Sequence, residues 1–304
     1  MTTAEFFRSS NVWIVAGKGG VGKTTVTAAL ARTACRAGLA VLVLDIEGRD
    51  ELAGLLAEPD DRPATGSIEV RALSPDTALV DYLNQRGLGR LARTMAQTGV
   101  IDVVTRGVPG IKDILVLGKV KQLEQGRAAD VILLDAPASG HAITFLRAAA
   151  GLRDAVRLGA INQQARDVLE LLGDPARCQV ILVTLAEETP VNEVIETAYA
   201  LEEDIGIKLG PVIVNALYPA HDLPEDPAAA LADRGIAPTS PEGVGLLAAA
   251  EFRRRREALQ TRELARLADS LPLAQVELPY RFGARIGPED LNLLADRLEH
   301  GLPT

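Results

Sequence analysis

One stretch near the start of the chain constrains the fold more than any other. An apolar run, a cluster of glycines and a helix-forming run follow one another there without a gap. NVWIVA (11–16) is short and β-branched, and predicts a buried strand. TVTAALARTACRAG (25–38) is rich in Ala and stops at Gly38, and predicts a helix. AGKGGVGKTT (16–25) lies between them, so its glycines occupy a strand-to-helix turn. Gly17, Gly19, Gly20 and Gly22 permit left-handed backbone and close approach of N–H groups to an anion. The helix N-terminus adds partial positive charge at the same point. Gly17-xxxx-Gly22-Lys23-Thr24 is the P-loop pattern. Lys23 is expected at the β and γ phosphates of a nucleotide and the Thr24 hydroxyl at Mg²⁺. Val21 and Thr25 lend backbone and side chain to the same cradle. A second lysine, Lys18, sits on the loop tip. On the residues alone it either reaches a nucleotide held by a facing subunit or is a solvated surface lysine.

Apolar runs recur at 12–16, 40–45, 68–73, 130–135, 179–184, 211–215 and 274–278, with helical patterns between them. Strands alternating with helices predict an α/β fold, a mainly parallel sheet of about seven or eight strands flanked by helices. Residues 77–125 and 151–173 carry only helical patterns and read as a small helical subdomain inserted in a single domain spanning 1–304. Residues 218–245 are rich in Pro, Ala and Asp and read as a loop or lid.

In such sheets ligands bind at the C-terminal strand ends. VILLDAPASGHAITFL (131–146) places Asp135 at one such end, a candidate Mg²⁺ group. Gly140, just beyond, is placed to offer its N–H to a γ-phosphate, and His141 is a weaker candidate that packs against or caps the next helix as its alternative. VLVLDIEGRDELAGLL (41–56) clusters Asp45, Glu47, Asp50 and Glu51 at another end. One carboxylate near the γ-phosphate suffices to orient an attacking water. GPVIVNALYPAHD (210–222) ends a strand on Asn215, whose amide can donate to and accept from an adenine edge.

The net charge of −9 argues against nucleic-acid binding, which needs clustered Lys and Arg. The one basic run, Arg253–Arg256, is flanked by glutamates and reads as a solvated helix face, with a partner-binding patch as the alternative. Two cysteines, Cys35 and Cys178, without a CxxC fit a cytoplasmic, reducing compartment. The start shows no leader pattern, and no apolar run reaches the roughly 18 residues that span a bilayer.

Together these residues resemble the arsenical-pump and tail-anchored-protein-targeting ATPase family. KGGVGKTT is its deviant Walker A, and DAPASGHAITFL is similar to its DTAPTGHTLRFL. VTLAEETPVNEV (183–194), VIVN and VPGIKDILVLGKV (108–120) resemble further segments of it. The short anion-transporting-ATPase-like proteins of actinobacteria look nearest, since they carry a similar VEGR stretch. The resemblance implies a Mg²⁺-dependent ATPase that closes as a nucleotide-sandwich dimer, homodimeric or with a paralogous subunit. Lys18 then contacts the partner's ATP, and hydrolysis drives a conformational change on an unknown protein client. The catalytic set is then Lys18, Lys23, and Glu47 or Asp45. The departures carry weight too. The family's first switch reads DPAH where this chain has EGRD, placing Glu47 in the position of the family's Asp. One extra methylene displaces a water by about 1 Å, and such shifts cost about 10²-fold. The alternative reading is therefore a slow or non-hydrolysing ATP-sensing module that regulates a partner. The family's zinc-binding CxxC and arsenite-binding cysteines are absent, which argues against arsenite transport. Only Met95 joins the initiator Met1, and Arg86, Arg90, Arg93 and Arg106 line the helical segment. That composition fits poorly with a Met-rich groove for membrane helices. A partition or division ATPase shares the loop, but the acidic C-terminus lacks a basic amphipathic tail.

Overall fold

Each of the seven apolar runs is a strand, and all seven pair in parallel. A computed structural model describes residues 2–46, 48, 50–57, 60–62, 65–85, 87–90, 110–137, 139–155, 159–220, 222–283 and 285–303. The strands are β1 (Val12–Gly17), β2 (Ala40–Asp45), β3 (Ser67–Ala72), β4 (Val131–Asp135), β5 (Cys178–Leu185), β6 (Lys208–Leu217) and β7 (Gln275–Pro279). Their order across the sheet is β3-β2-β4-β1-β5-β6-β7. From β1 the chain runs outward past β4 to β2, and later crosses to β5 on the other side. This reversal opens a crevice at the C-terminal end of β1, where α/β sheets bind ligands.

The strands are apolar throughout because both faces are covered. Val12, Ile14 and Ala16 point to one face with Leu42, Leu134 and Val180, while Trp13 and Val15 point to the other with Val41, Leu133 and Ile181. On the second face lie α1 (Thr3–Arg8), α2 (Lys23–Arg36) and α11 (Pro288–Gly301), through Phe6, Phe7, Leu30, Leu291 and Leu298. The first face takes α5 (Ile111–Gln125), α6 (Ser139–Ala155), α7 (Ala160–Leu172) and α8 (Glu188–Asp204), through Leu117, Leu146, Leu171 and Val191. α4 (Pro75–Gln85) reaches the same core through Ala78 and Leu79. The predicted helical segments therefore share the buried core of the sheet where they are described. Residues 91–109, with Arg93, Met95 and Arg106, lie outside the described residues, as does Arg86.

Two elements depart from the sequence reading. α1 was not anticipated. Thr2 and Glu5 form a reciprocal capping box that starts it, and Phe6 stacks on Trp13 at 4.7 Å. The 218–245 segment is helical in part, with α9 (Pro227–Ala232) inside it and α10 (Pro241–Ser270) beginning before its end. Asp226 and Ser240 cap these helices, and each Pro sits in the first turn, where its missing N–H is no loss.

The arginine run on α10 is not a solvated face. Arg255 is exposed and pairs with Glu251 at 2.6 Å. The other three fold back onto the chain. Arg253 donates to Pro219 O (2.5 Å), Arg254 to Glu225 O (2.9 Å) and Arg256 to Glu187 (2.6 Å). The Tyr218 ring lies under the guanidinium groups of Arg253 and Arg256, at 4.9 and 5.2 Å. These arginines strap the loop after β6. α3 (Asp50–Ala57) completes the set of labelled elements.

Candidate functional site

The loop between β1 and α2 is held by contacts that leave no room for a side chain at two of its glycines. A Cβ on Gly17 would stand 2.3 Å from Val183 O of β5, and one on Gly22 would stand 2.3 Å from Asn215 Nδ2 of β6. Gly22 is also left-handed, with φ 87°, and caps α2 without a side-chain bond. The N-terminus of α2 therefore faces the loop, and its first turn carries no acidic residue. Val21 is buried and anchors the loop, while Gly19 and Gly20 are exposed. Asn215 donates from Nδ2 to Val21 O at 2.9 Å. β6 runs on to Leu217, so Asn215 lies within the strand and not at its end, and its amide supports the loop at the place where adenine recognition was expected.

Lys23 opens α2, and its ammonium donates to Lys18 O at 3.2 Å, curling back across the loop. Thr24, next on the helix, donates to Asp135 Oδ2 at 2.8 Å. Asp135 ends β4, in register with Val15 of β1 and Asp45 of β2. Burial raises its carboxyl to about pKa 6. The Thr24 hydroxyl and the Lys23 ammonium oppose that rise, while Asp45 adds to it. A hydroxyl and a carboxylate present hard oxygen donors. Among the described residues no three His, Cys, Asp or Glu side chains gather as a metal cage. That donor set fits Mg²⁺, which takes one or two protein oxygens and fills its shell with water and phosphate.

At the end of β2 Asp45 is nearly buried, and its Oδ1 accepts the Gly48 N–H at 2.9 Å. Glu47 lies outside the described residues. Glu51 lines a cavity of about 650 Å³ with Thr25, Gly54, Leu55 and the loop Arg285–Pro288. Sequence reasoning did not find that loop, which reaches Thr25 only because α11 packs beside α2. Gly140 is the second residue of α6, so its N–H is one of the first-turn groups that have no partner within that helix. The side chains of Ser139 and His141 are outside the described residues.

Lys18 has a partner in its own chain. Its ammonium pairs with Glu193 Oε1 on α8, with the two side chains 38 % and 35 % exposed. The other Glu193 oxygen is buried and accepts no hydrogen bond from the described residues. The structure thus brings Lys23, Thr24, Asp135 and Asp45 together around the C-terminal crevice, with Asn215 behind the loop and Lys18 turned toward α8.

Comparison with known proteins places the chain in a family. The sequence model of the anion-transporting ATPase family matches residues 10–163. ATPase BagA of Mycobacterium tuberculosis is 31 % identical over 295 residues, covering 88 % of this chain and 86 % of the relative. ATPase GET3 of Podospora anserina is 26 % identical over 170 residues, covering 53 % of this chain and 50 % of the relative. A Halobacterium salinarum protein, provisionally named an arsenical pump-driving ATPase, is 23 % identical over 224 residues. It covers 67 % of this chain and 35 % of that relative.

Proposed function

The chain belongs to the anion-transporting ATPase family, and we propose that it is a Mg²⁺-dependent ATPase completed across a nucleotide-sandwich dimer. The observation that supports this most directly is the triad at the loop. Lys23, Thr24 and Asp135 converge where the N-terminus of α2 meets the end of β4. Triphosphate lies along the loop N–H groups with Lys23 swung from Lys18 O to the β and γ phosphates. Thr24 and Asp135 would hold Mg²⁺, which would supply positive charge against the phosphates. The nucleoside extends past Thr25 into the cavity beneath Arg285–Pro288. Gly140 at the start of α6 senses the γ-phosphate. Lys18 leaves Glu193 to reach the nucleotide of the facing subunit.

Asp45 or Glu47 orients the attacking water. One Asp45 oxygen is already held by the Gly48 N–H, and Glu47 stands in the sequence position of the family's Asp. That observation favours a second reading, a slow ATP sensor that regulates a partner. Its test is Glu47→Asp, which accelerates phosphate release if the longer side chain misplaces the water.

We read residues 1–304 as one ATPase domain whose helical segments, 77–125 and 151–173, carry the client surface. No helix of the described residues is long and apolar enough to cross a membrane. Cys35 and Cys178 are buried and unpaired, in keeping with a reducing cytoplasm. The dimer is tested by sedimentation with Mg²⁺ and a non-hydrolysable ATP analogue or ADP. Doubling of mass with the analogue alone is expected, and a monomer under both conditions would overturn the sandwich.

A further inference from the structure

Thr27 lies one turn into α2, fully buried, and the phosphate-binding pattern gives it no task. Its neighbours Val26, Ala28 and Ala29 are apolar and equally buried, so a valine would suit its packing. Its hydroxyl lies 2.9 Å from Lys23 O and 3.3 Å from Asp135 Oδ1, a donor shared between two acceptors. The first contact, back to the preceding helical turn, already satisfies the hydroxyl. The second is the informative one. Thr24 and Thr27 stand three residues apart on one helix face. Thr24 takes Asp135 Oδ2, and Thr27 approaches Oδ1. The terminal torsion of an aspartate is otherwise broad. Two donors from one rigid helix, one on each oxygen, remove that freedom.

We propose that Thr27 is a positioning residue for the divalent cation. It holds the far oxygen of Asp135, so that Oδ2 and the Thr24 hydroxyl present a fixed pair of oxygens to the metal. This rests on the assignment of Thr24 and Asp135 as the cation-facing groups. Thr24 has two tasks there, toward the carboxylate and toward the metal. Thr27 serves the Lys23 carbonyl and the carboxylate but not the metal, so it keeps the orientation when Thr24 is engaged. Partners that orient metal ligands in this way typically contribute 10–100-fold in metal affinity.

The test compares wild type, Thr27→Val, Thr27→Ser and Asp135→Asn in the full chain. Two quantities are read for each: the Mg²⁺ midpoint for tightening a fluorescent ADP analogue, and the urea midpoint without ligand. Thr27→Val keeps the volume and loses the hydroxyl, so its Mg²⁺ midpoint is expected to rise about tenfold. Its affinity for the analogue without Mg²⁺ stays at the wild-type value. Thr27→Ser keeps the hydroxyl and loses a methyl group. It is expected to retain the wild-type Mg²⁺ midpoint while its urea midpoint falls. A wild-type Mg²⁺ midpoint in Thr27→Val, or equal shifts in both variants, would overturn the positioning role and leave only packing. If wild type itself bound the analogue without regard to Mg²⁺, and Asp135→Asn did the same, the cation site would fall and the role of Thr27 with it.

Discussion

Asp135→Asn is expected to make the ligand-free protein more stable while abolishing its response to Mg²⁺. The carboxyl ordinarily titrates at 3.8, and burial behind β4 raises it to about 6. The folded chain therefore holds that proton more tightly than the unfolded chain does. Stability is lost as pH rises from about 4 to about 6, and the loss is complete above that window. A shift of about 2 units corresponds to about 3 kcal/mol of destabilisation at neutral pH. An amide in place of the carboxylate carries no such loss. It does turn one acceptor toward a threonine hydroxyl into a donor, which costs about 1 kcal/mol. The net gain is about 2 kcal/mol at pH 7.5, shrinking by about that amount at pH 4.5, where most native carboxyls are protonated. Equilibrium urea unfolding of both proteins at the two pH values reads it. Adding Mg²⁺ and ADP should reverse the order, since only wild type has the charge that binds the ion. A variant less stable than wild type at pH 7.5, or a gain indifferent to pH, would refute the reasoning.

Two further outcomes follow from the same geometry. Gly22→Ala forces a left-handed alanine, which costs about 1–2 kcal/mol, and drives its methyl into Asn215 Nδ2. Isothermal titration should show nucleotide binding lost with the fold retained, and wild-type affinity would show the loop to be more pliant than drawn. Glu193→Gln removes the ion pair that turns Lys18 toward α8. The pair is a little over a third exposed, so stability should change by less than about 1 kcal/mol. The ATP-analogue-dependent association should move to lower protein concentration, and an unchanged midpoint by sedimentation would show that the pair does not restrain Lys18.

The parts of this molecule that were legible in its sequence are the local ones. Parallel strands buried on both faces leave uninterrupted apolar runs, and Val12, Leu42, Leu133 and Ile181 announce themselves in that way. The loop is legible because strand, glycines and helix are contiguous. α9 and the first turn of α10 were hidden because Pro227 and Pro241 read as breakers, although in the first turn of a helix Pro is at home. α1 was hidden because the first residues were read for a leader, while the Thr2–Glu5 capping box spelled a helix start. What the sequence could not show is pairing across distance. Lys18 meets Glu193 across 175 positions and Thr27 meets Asp135 across 108. The arginine run was misjudged for a related reason. Its charge pattern suits water, but the loop after β6 supplies carbonyls and the Tyr218 ring that only the fold brings near.

The central claim is a phosphate site finished by a second chain, and phosphate release from Mg²⁺·ATP tests it most directly. Wild type and Lys18→Ala are compared over a range of protein concentrations. The account predicts turnover that rises steeply with wild-type concentration and collapses in the variant. Equal rates in the two proteins, independent of concentration, would contradict it.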